Sequence, residues 1–178
     1  YYGEKNYEKA LENYSMVAHM FPHGKYTENA NYWFLNSLVN LGRIQEFETE
    51  KKAFLERYPN SSLKENVFIL SGQIYEKSGD QEKLLANYKK LYSNAKSDVI
   101  KDDAAAKIID FQLAENNLDE ALKNIDTLTN NDTKGYYLAK VYEKQNKNPE
   151  AMAEYEKLFE RSRYKDLAGF KLATYYFN

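Results

Sequence analysis

Cysteine is absent from the 178 residues, which excludes disulfides, a thiolate nucleophile and any Cys-based zinc or iron–sulfur site. Histidine is almost as scarce, with only His19 and His23. Three prolines and seven glycines are too few to punctuate many short strands, so long regular elements joined by short turns are expected. No stretch approaches the eighteen or so consecutive apolar residues of a membrane span, so direct membrane insertion is not expected. No signal-peptide pattern is present either. Lys and Arg number 25 against 27 Asp and Glu, with no basic block, so the chain lacks the electrostatic footprint of a nucleic-acid or anionic-membrane binder. It opens on Tyr1 rather than Met, inside what reads as a helix, and further sequence upstream is expected.

What the chain does carry is aromatic and periodic. Aromatic residues make up 15%, seventeen of them tyrosine, which argues against a disordered chain. Self-similarity at a fixed period decides architecture, and a small or apolar residue recurs in the first turn of successive helical patterns. These residues are Ala10, Phe47, Leu84, Ala121 and Ala151, at intervals of 37, 37, 37 and 30. Around them runs the i, i+3, i+4, i+7 stripe of an amphipathic helix. Tyr7, Ala10, Leu11, Tyr14, Val17, Ala18 and Phe21 form one stripe, and Leu84, Leu85, Tyr88, Leu91 and Tyr92 a second. Leu118, Ala121, Leu122, Ile125 and Leu128 form a third, and Ala151, Met152, Tyr155, Leu158 and Phe159 a fourth. Each segment can bury one face only.

Helix punctuation falls at the same period. Gly42 and Gly79 mark turns inside hairpins, and Asp80 is placed to cap the helix that follows. Ser62 with Glu65 and Asn117 with Glu120 have capping-box spacing, and Asn148 precedes a first-turn Pro149. Pro22 and Pro59 stop helices, because proline removes an amide donor and clashes with the preceding turn. About ten helices, some partial, are therefore expected.

Catalytic and metal chemistry find little support. His19 and His23 stand four apart, but Pro22 lies between them, so a solvated helix end is read in preference to a metal pair. Asp102 and Asp103, Glu46, Glu48 and Glu50, and Asp119 and Glu120 read as caps or polar helix faces, not as a carboxylate pair held in a cleft. No serine has a His and Asp arrangement to activate it, and no Gly-rich phosphate loop occurs. The chain is read as non-enzymatic, with no cofactor and no metal.

The pattern resembles the tetratricopeptide repeat. Its marks are clearest in Ser71, Gly72, Tyr75, Gly79, Leu84, Tyr88 and Leu91; in Leu138, Ala139, Tyr142, Ala151, Tyr155 and Leu158; and in Tyr1, Tyr7, Ala10, Tyr14 and Pro22. Departures are Leu35 and Ile109 at the small position of the first helix, and Gln112 where an aromatic is usual. Residues 1 to about 80, through Tyr7, Ala10, Phe21, Pro22, Ala30, Asn31, Tyr32, Trp33, Gly42, Phe54, Leu55, Tyr58 and Pro59, are further similar to bacterial envelope members of that family: a periplasmic Tol-Pal-associated coordinator of cell constriction and a repeat lipoprotein of outer-membrane barrel assembly.

The resemblance implies an all-α, right-handed α-solenoid of about five hairpin repeats, some partial. Their expected bounds are about 1–22, 26–59, 62–95, 98–129, 132–162 and 165–178. It implies a protein or peptide partner in a concave groove lined by the first helices, and a periplasmic or cell-envelope location, with the cytoplasm as the alternative. Transferring the groove spacing gives Asn29, Tyr32, Asn36 and Asn40; then Asn66, Ile69, Gln73 and Lys77; then Tyr136, Lys140, Glu143 and Lys144. Amides pair with peptide backbone and tyrosine offers contact area at low entropic cost. The family's carboxylate clamp wants Lys where Tyr32 stands. Trp33, the one tryptophan, is expected in the core.

Neither end supplies a polar cap. Tyr1 and Tyr2 read as the tail of a first helix, and Leu172, Ala173, Tyr176 and Phe177 as a first helix without its partner. Continuation beyond Asn178, or packing of these ends on another chain, is expected. The alternatives to a binding scaffold are a structural oligomerisation module joined through those terminal helices and a recognition domain of a larger protein.

Overall fold

The structure, a computed structural model, describes residues 6–177. Tyr1, Tyr2 and Asn178 fall outside the described residues. Among those described there are ten α-helices and no strand: α1 (Tyr7–Met20), α2 (Thr27–Leu41), α3 (Ile44–Arg57), α4 (Lys64–Ser78), α5 (Gln81–Asn94), α6 (Asp98–Ala114), α7 (Leu118–Thr127), α8 (Asn131–Lys144), α9 (Asn148–Arg161) and α10 (Lys165–Phe177).

Four turns share one backbone device. α2, α4, α6 and α8 are each followed closely by a residue in the left-handed region: Gly42 (φ 70°), Gly79 (φ 73°), Asn116 (φ 58°) and Asn146 (φ 58°). Glycine pays no Cβ penalty there, and asparagine is the side chain that tolerates it best. The intervals of 37, 37 and 30 match those between the repeat residues in the sequence. α1 and α3 stop instead at Phe21 and Tyr58, each followed by proline.

Caps follow the expectations in part. Asp80 accepts the Lys83 amide at 3.0 Å, and Asn6 and Asn130 cap α1 and α8 in the same manner. The Ser62–Glu65 box does not form. α4 begins at Lys64, and the Ser61 hydroxyl takes the Leu63 amide (2.9 Å) while donating to Glu28 on α2. Asn117 occupies the cap position of α7 without a side-chain bond, and Lys147, not Asn148, is the cap residue of α9.

The chain divides into two compact units, Tyr1–Asn87 and Tyr88–Asn178. In the first, α2 packs on α1, α3 and α4, and α3 packs on α4. Leu35, Leu38, Val39, Phe47, Val67 and Ile74 are all but dry. Leu35 thus fills the place where a small residue is usual. The buried Asn87 amide closes α5 onto α4 by donating to the Phe68 carbonyl at 2.8 Å.

In the second unit, α6 packs on α7 and α8, α7 on α8, α8 on α9, and α9 on α10. One cluster joins Ala105, Ile109, Leu113, Ala121, Ile125, Leu128, Tyr137 and Val141. Another joins Ala139, Ala151, Met152, Tyr155, Leu158 and Ala168. Burying such side chains is worth roughly 1.5–3 kcal/mol each. Where the aromatic is missing at Gln112, its amide oxygen takes the Asn124 side chain of α7 at 3.0 Å, a polar contact in place of ring packing.

Two carboxylates read as solvated caps or faces turn out to be interhelical fasteners. Asp102 is only 7% exposed. It accepts from the Thr129 amide (2.9 Å), the Thr129 hydroxyl (2.9 Å) and the Asn130 amide (2.7 Å), so α6 holds the turn between α7 and α8. Glu48 on α3 accepts from the Tyr75 hydroxyl of α4 and pairs with Lys51 at 2.7 Å, while Lys51 also donates to that hydroxyl. Burial raises the Glu48 carboxyl. The hydrogen bonds from Lys51 and Tyr75 and the charges of Lys51 and Lys83 outweigh it, leaving the group below its usual range. Burial, then Glu48, pushes the Tyr75 phenol well up.

Two outcomes follow. Asp102→Ala, which strands three donors, should cost about 2–3 kcal/mol and lower Tm by roughly 5–10 °C in thermal unfolding. Glu48→Gln should cost about 1 kcal/mol near neutral pH. Because the folded Glu48 has the lower pKa, its contribution is present above the unfolded value of about 4.3 and is lost as pH falls through the folded one. The stability gap between wild type and Glu48→Gln should therefore close in denaturant titrations carried below about pH 4.

Candidate binding face

In the first unit, helix periodicity sets Asn29, Tyr32, Asn36 and Asn40 along one side of α2, and Asn66, Ile69, Gln73 and Lys77 along one side of α4. α2 and α4 are in contact, so the two rows belong to adjacent helices. None of the eight is buried: Asn29, Asn40, Ile69, Gln73 and Lys77 are exposed, and Tyr32, Asn36 and Asn66 are half-buried. The faces turned inward carry Ala30, Leu35, Leu38, Val67, Leu70 and Ile74. That apolar stripe is why these segments fold as they do, and it leaves the polar rows on the outside.

The α2 row is internally ordered. The Asn40 side chain donates to the Asn36 amide oxygen at 2.9 Å and to the Asn36 carbonyl at 2.8 Å. Burial raises the Tyr32 phenol, partly offset by a hydrogen bond with the Asn36 side chain. Lys77, at the end of the α4 row, reaches the Val39 carbonyl at 3.5 Å and is the one charge among the eight. These eight residues thus offer amide donors and acceptors beside an aromatic surface and a single charge, a chemistry suited to peptide groups.

Trp33 does not enter the core. It is 37% exposed and meets Tyr32 edge to face, with ring centroids 5.3 Å apart. A signal for this was available, because Trp33 shares the 4, 3, 4 spacing of Asn29, Asn36 and Asn40 on one helical face.

In the second unit Tyr136, Lys140 and Glu143 have partners on other elements. Tyr136 stacks flat on Tyr164, with centroids 4.5 Å apart and planes 3° from parallel. Lys140 pairs with Asp110 of α6 at 2.9 Å, and the Tyr137 hydroxyl donates to the same carboxylate at 3.0 Å. Burial lowers the Lys140 ammonium, but Asp110 and Tyr136 more than reverse it, so the group sits above its ordinary value. Burial and Asp110 drive the Tyr137 phenol well up. Glu143 takes Lys171 of α10 at 2.8 Å, and Lys144 is exposed. Tyr136 therefore joins α8 to the turn between α9 and α10, and Lys140 joins α8 to α6, whereas the α2 and α4 rows remain accessible.

His19 and His23 are both exposed at the end of α1 and in the turn after it. Among the described residues no group of three His, Asp or Glu is arranged to hold a metal ion, and no helix is long and apolar enough to cross a membrane. In comparisons with known proteins, no family model and no curated protein matches this chain.

Proposed function

We propose that this chain is a non-enzymatic scaffold built of tetratricopeptide-like hairpins, and that it holds a protein or peptide segment against the face formed by α2 and α4. The carrying observation is that two adjacent helices bury one side and leave accessible, on the other, rows of Asn29, Asn36, Asn40, Asn66 and Gln73 beside Tyr32 and Trp33. The amides would pair with backbone groups of the bound segment, and the two rings would supply the anchoring contact area that dominates such interfaces. The packing of α2 on α3 and α4, and of α8 on α9 and α6, supports the repeat reading, since in both of these hairpins the first helix touches its own partner and a neighbouring first helix. A right-handed solenoid is the arrangement that family resemblance implies. The N-terminal resemblance to envelope members carries the placement in the bacterial periplasm, as part of envelope assembly.

The test needs no known partner. Peptides selected from a random library on the intact chain should lose about tenfold or more in Kd with Tyr32→Ala plus Asn36→Ala, as measured by fluorescence polarisation. They should keep their affinity for Lys144→Ala, which lies outside the α2 and α4 rows. Equal binding to the double variant and the intact chain would remove this face from the proposal.

A further inference from the structure

The turn between α1 and α2 and the turn between α3 and α4 share one backbone design. The Gly24 amide donates to the Phe21 carbonyl at 2.9 Å and the Thr27 amide to the Gly24 carbonyl at 3.1 Å. At the same places 37 residues on, the Ser61 amide donates to the Tyr58 carbonyl at 3.1 Å and the Lys64 amide to the Ser61 carbonyl at 3.4 Å. The side chains differ. His23 and Lys25 stand where the second turn has Asn60 and Ser62, and α3 ends on Arg57 where α1 ends on Met20. The backbone forms with either set, so these basic side chains are not what shapes it.

They do share a cavity. His23, Lys25 and Arg57 line a space of about 530 Å³ together with Pro22, Glu28 and Tyr58. Its walls are turns and helix ends inside the first unit. The Tyr58 ring is held in place, packed on the buried Phe54 with centroids 5.0 Å apart, and its hydroxyl accepts from the Asn31 side chain at 3.1 Å. Glu28, the carboxylate of the lining, is taken by the Ser61 hydroxyl. Lys25 lies 5.6 Å from the Tyr26 ring centroid. Among the described residues neither Lys25 nor Arg57 forms an ion pair with a carboxylate.

A space of this size admits a small organic molecule. A guanidinium and an ammonium without acidic partners hold an oxyanion, the guanidinium through its paired donors, while Pro22 and the Tyr58 ring offer an apolar side. With Lys25 and Arg57 against Glu28 and His23 neutral, the lining has one positive charge in excess. A carboxylate balances that excess, whereas a doubly charged phosphate would leave the cavity negative. We propose that this cavity binds a small organic acid, its carboxylate held by Arg57 and Lys25 with His23 as a further polar contact, and its body against Tyr58 and Pro22. The site uses neither the α2 row nor the α4 row and stands apart from the peptide-binding proposal.

Benzoate, benzamide and phenyl phosphate share a ring and differ in the charge of the head group, so together they test the match. Titrated into the intact chain at constant ionic strength and followed by amide NMR, benzoate should move the Gly24, Lys25 and Thr27 signals along one saturating curve. Benzamide should bind at least about tenfold more weakly, and phenyl phosphate no more tightly than benzoate. Lys25→Ser and Arg57→Met each install the side chain that the matching position already carries on the same backbone, so the fold should hold, and an unchanged Tm checks it. Each should weaken benzoate by about tenfold, whereas Lys52→Ala, at an exposed lysine outside the cavity, should leave it unchanged. Benzoate shifts that never saturate, or benzamide binding as well as benzoate, would overturn the proposal. So would tighter binding of phenyl phosphate, or folded Lys25 and Arg57 variants that keep the affinity of the intact chain.

Discussion

A helix of ten to seventeen residues with an apolar stripe along one side keeps its form in water only while another helix covers that stripe. Every element here is of that length. α7 is the extreme case, with Ala121 and Ile125 wholly buried on ten residues. Its neighbours α6 and α8 supply the cover, and they in turn depend on it. Stability in such a chain is a property of neighbouring pairs rather than of single elements.

The polar groups at these seams obey the same logic. Tyr75 reaches back 27 residues to Glu48, Thr129 back 27 to Asp102, and Tyr137 back 27 to Asp110. In each case a carboxylate on one helix meets a donor on the next element packed against it. Asp102 is withdrawn from water and would be costly there unless satisfied, whereas Asp110 stays exposed while it accepts from its donors. These contacts fix the axial position of one helix against another, which apolar packing alone leaves slack.

The helices themselves were legible in the sequence because a 3.6-residue stripe, a left-handed glycine and a following proline are local signals. The all-helical character and most helix ends follow from them. What was not legible depends on which side of a helix its neighbour covers. Asp102 has the composition of a surface residue and is buried because the α7–α8 turn lies over it. Trp33 and Phe159 have the composition of core residues, and they are 37% and 55% exposed because their side of the helix meets no neighbour that seals them. The accessible rows on α2 and α4 followed from spacing, whereas Tyr136 and Lys140 did not, since stacking on Tyr164 and pairing with Asp110 are contacts between separate elements. Ser61 in place of Ser62 is a shift of one residue, decided by where Glu28 sits.

The left-handed residues at 42, 79, 116 and 146 give the chain a common joint. A stretch running from one joint to the next contains one complete second helix and one complete first helix, and it begins and finishes on the same backbone conformation. Removing or duplicating such a stretch splices like onto like, with no new turn to invent. Whole hairpins can therefore be exchanged at these turns without a change of backbone conformation, whereas an insertion of a few residues inside a helix would rotate the rest of that helix's stripe out of register.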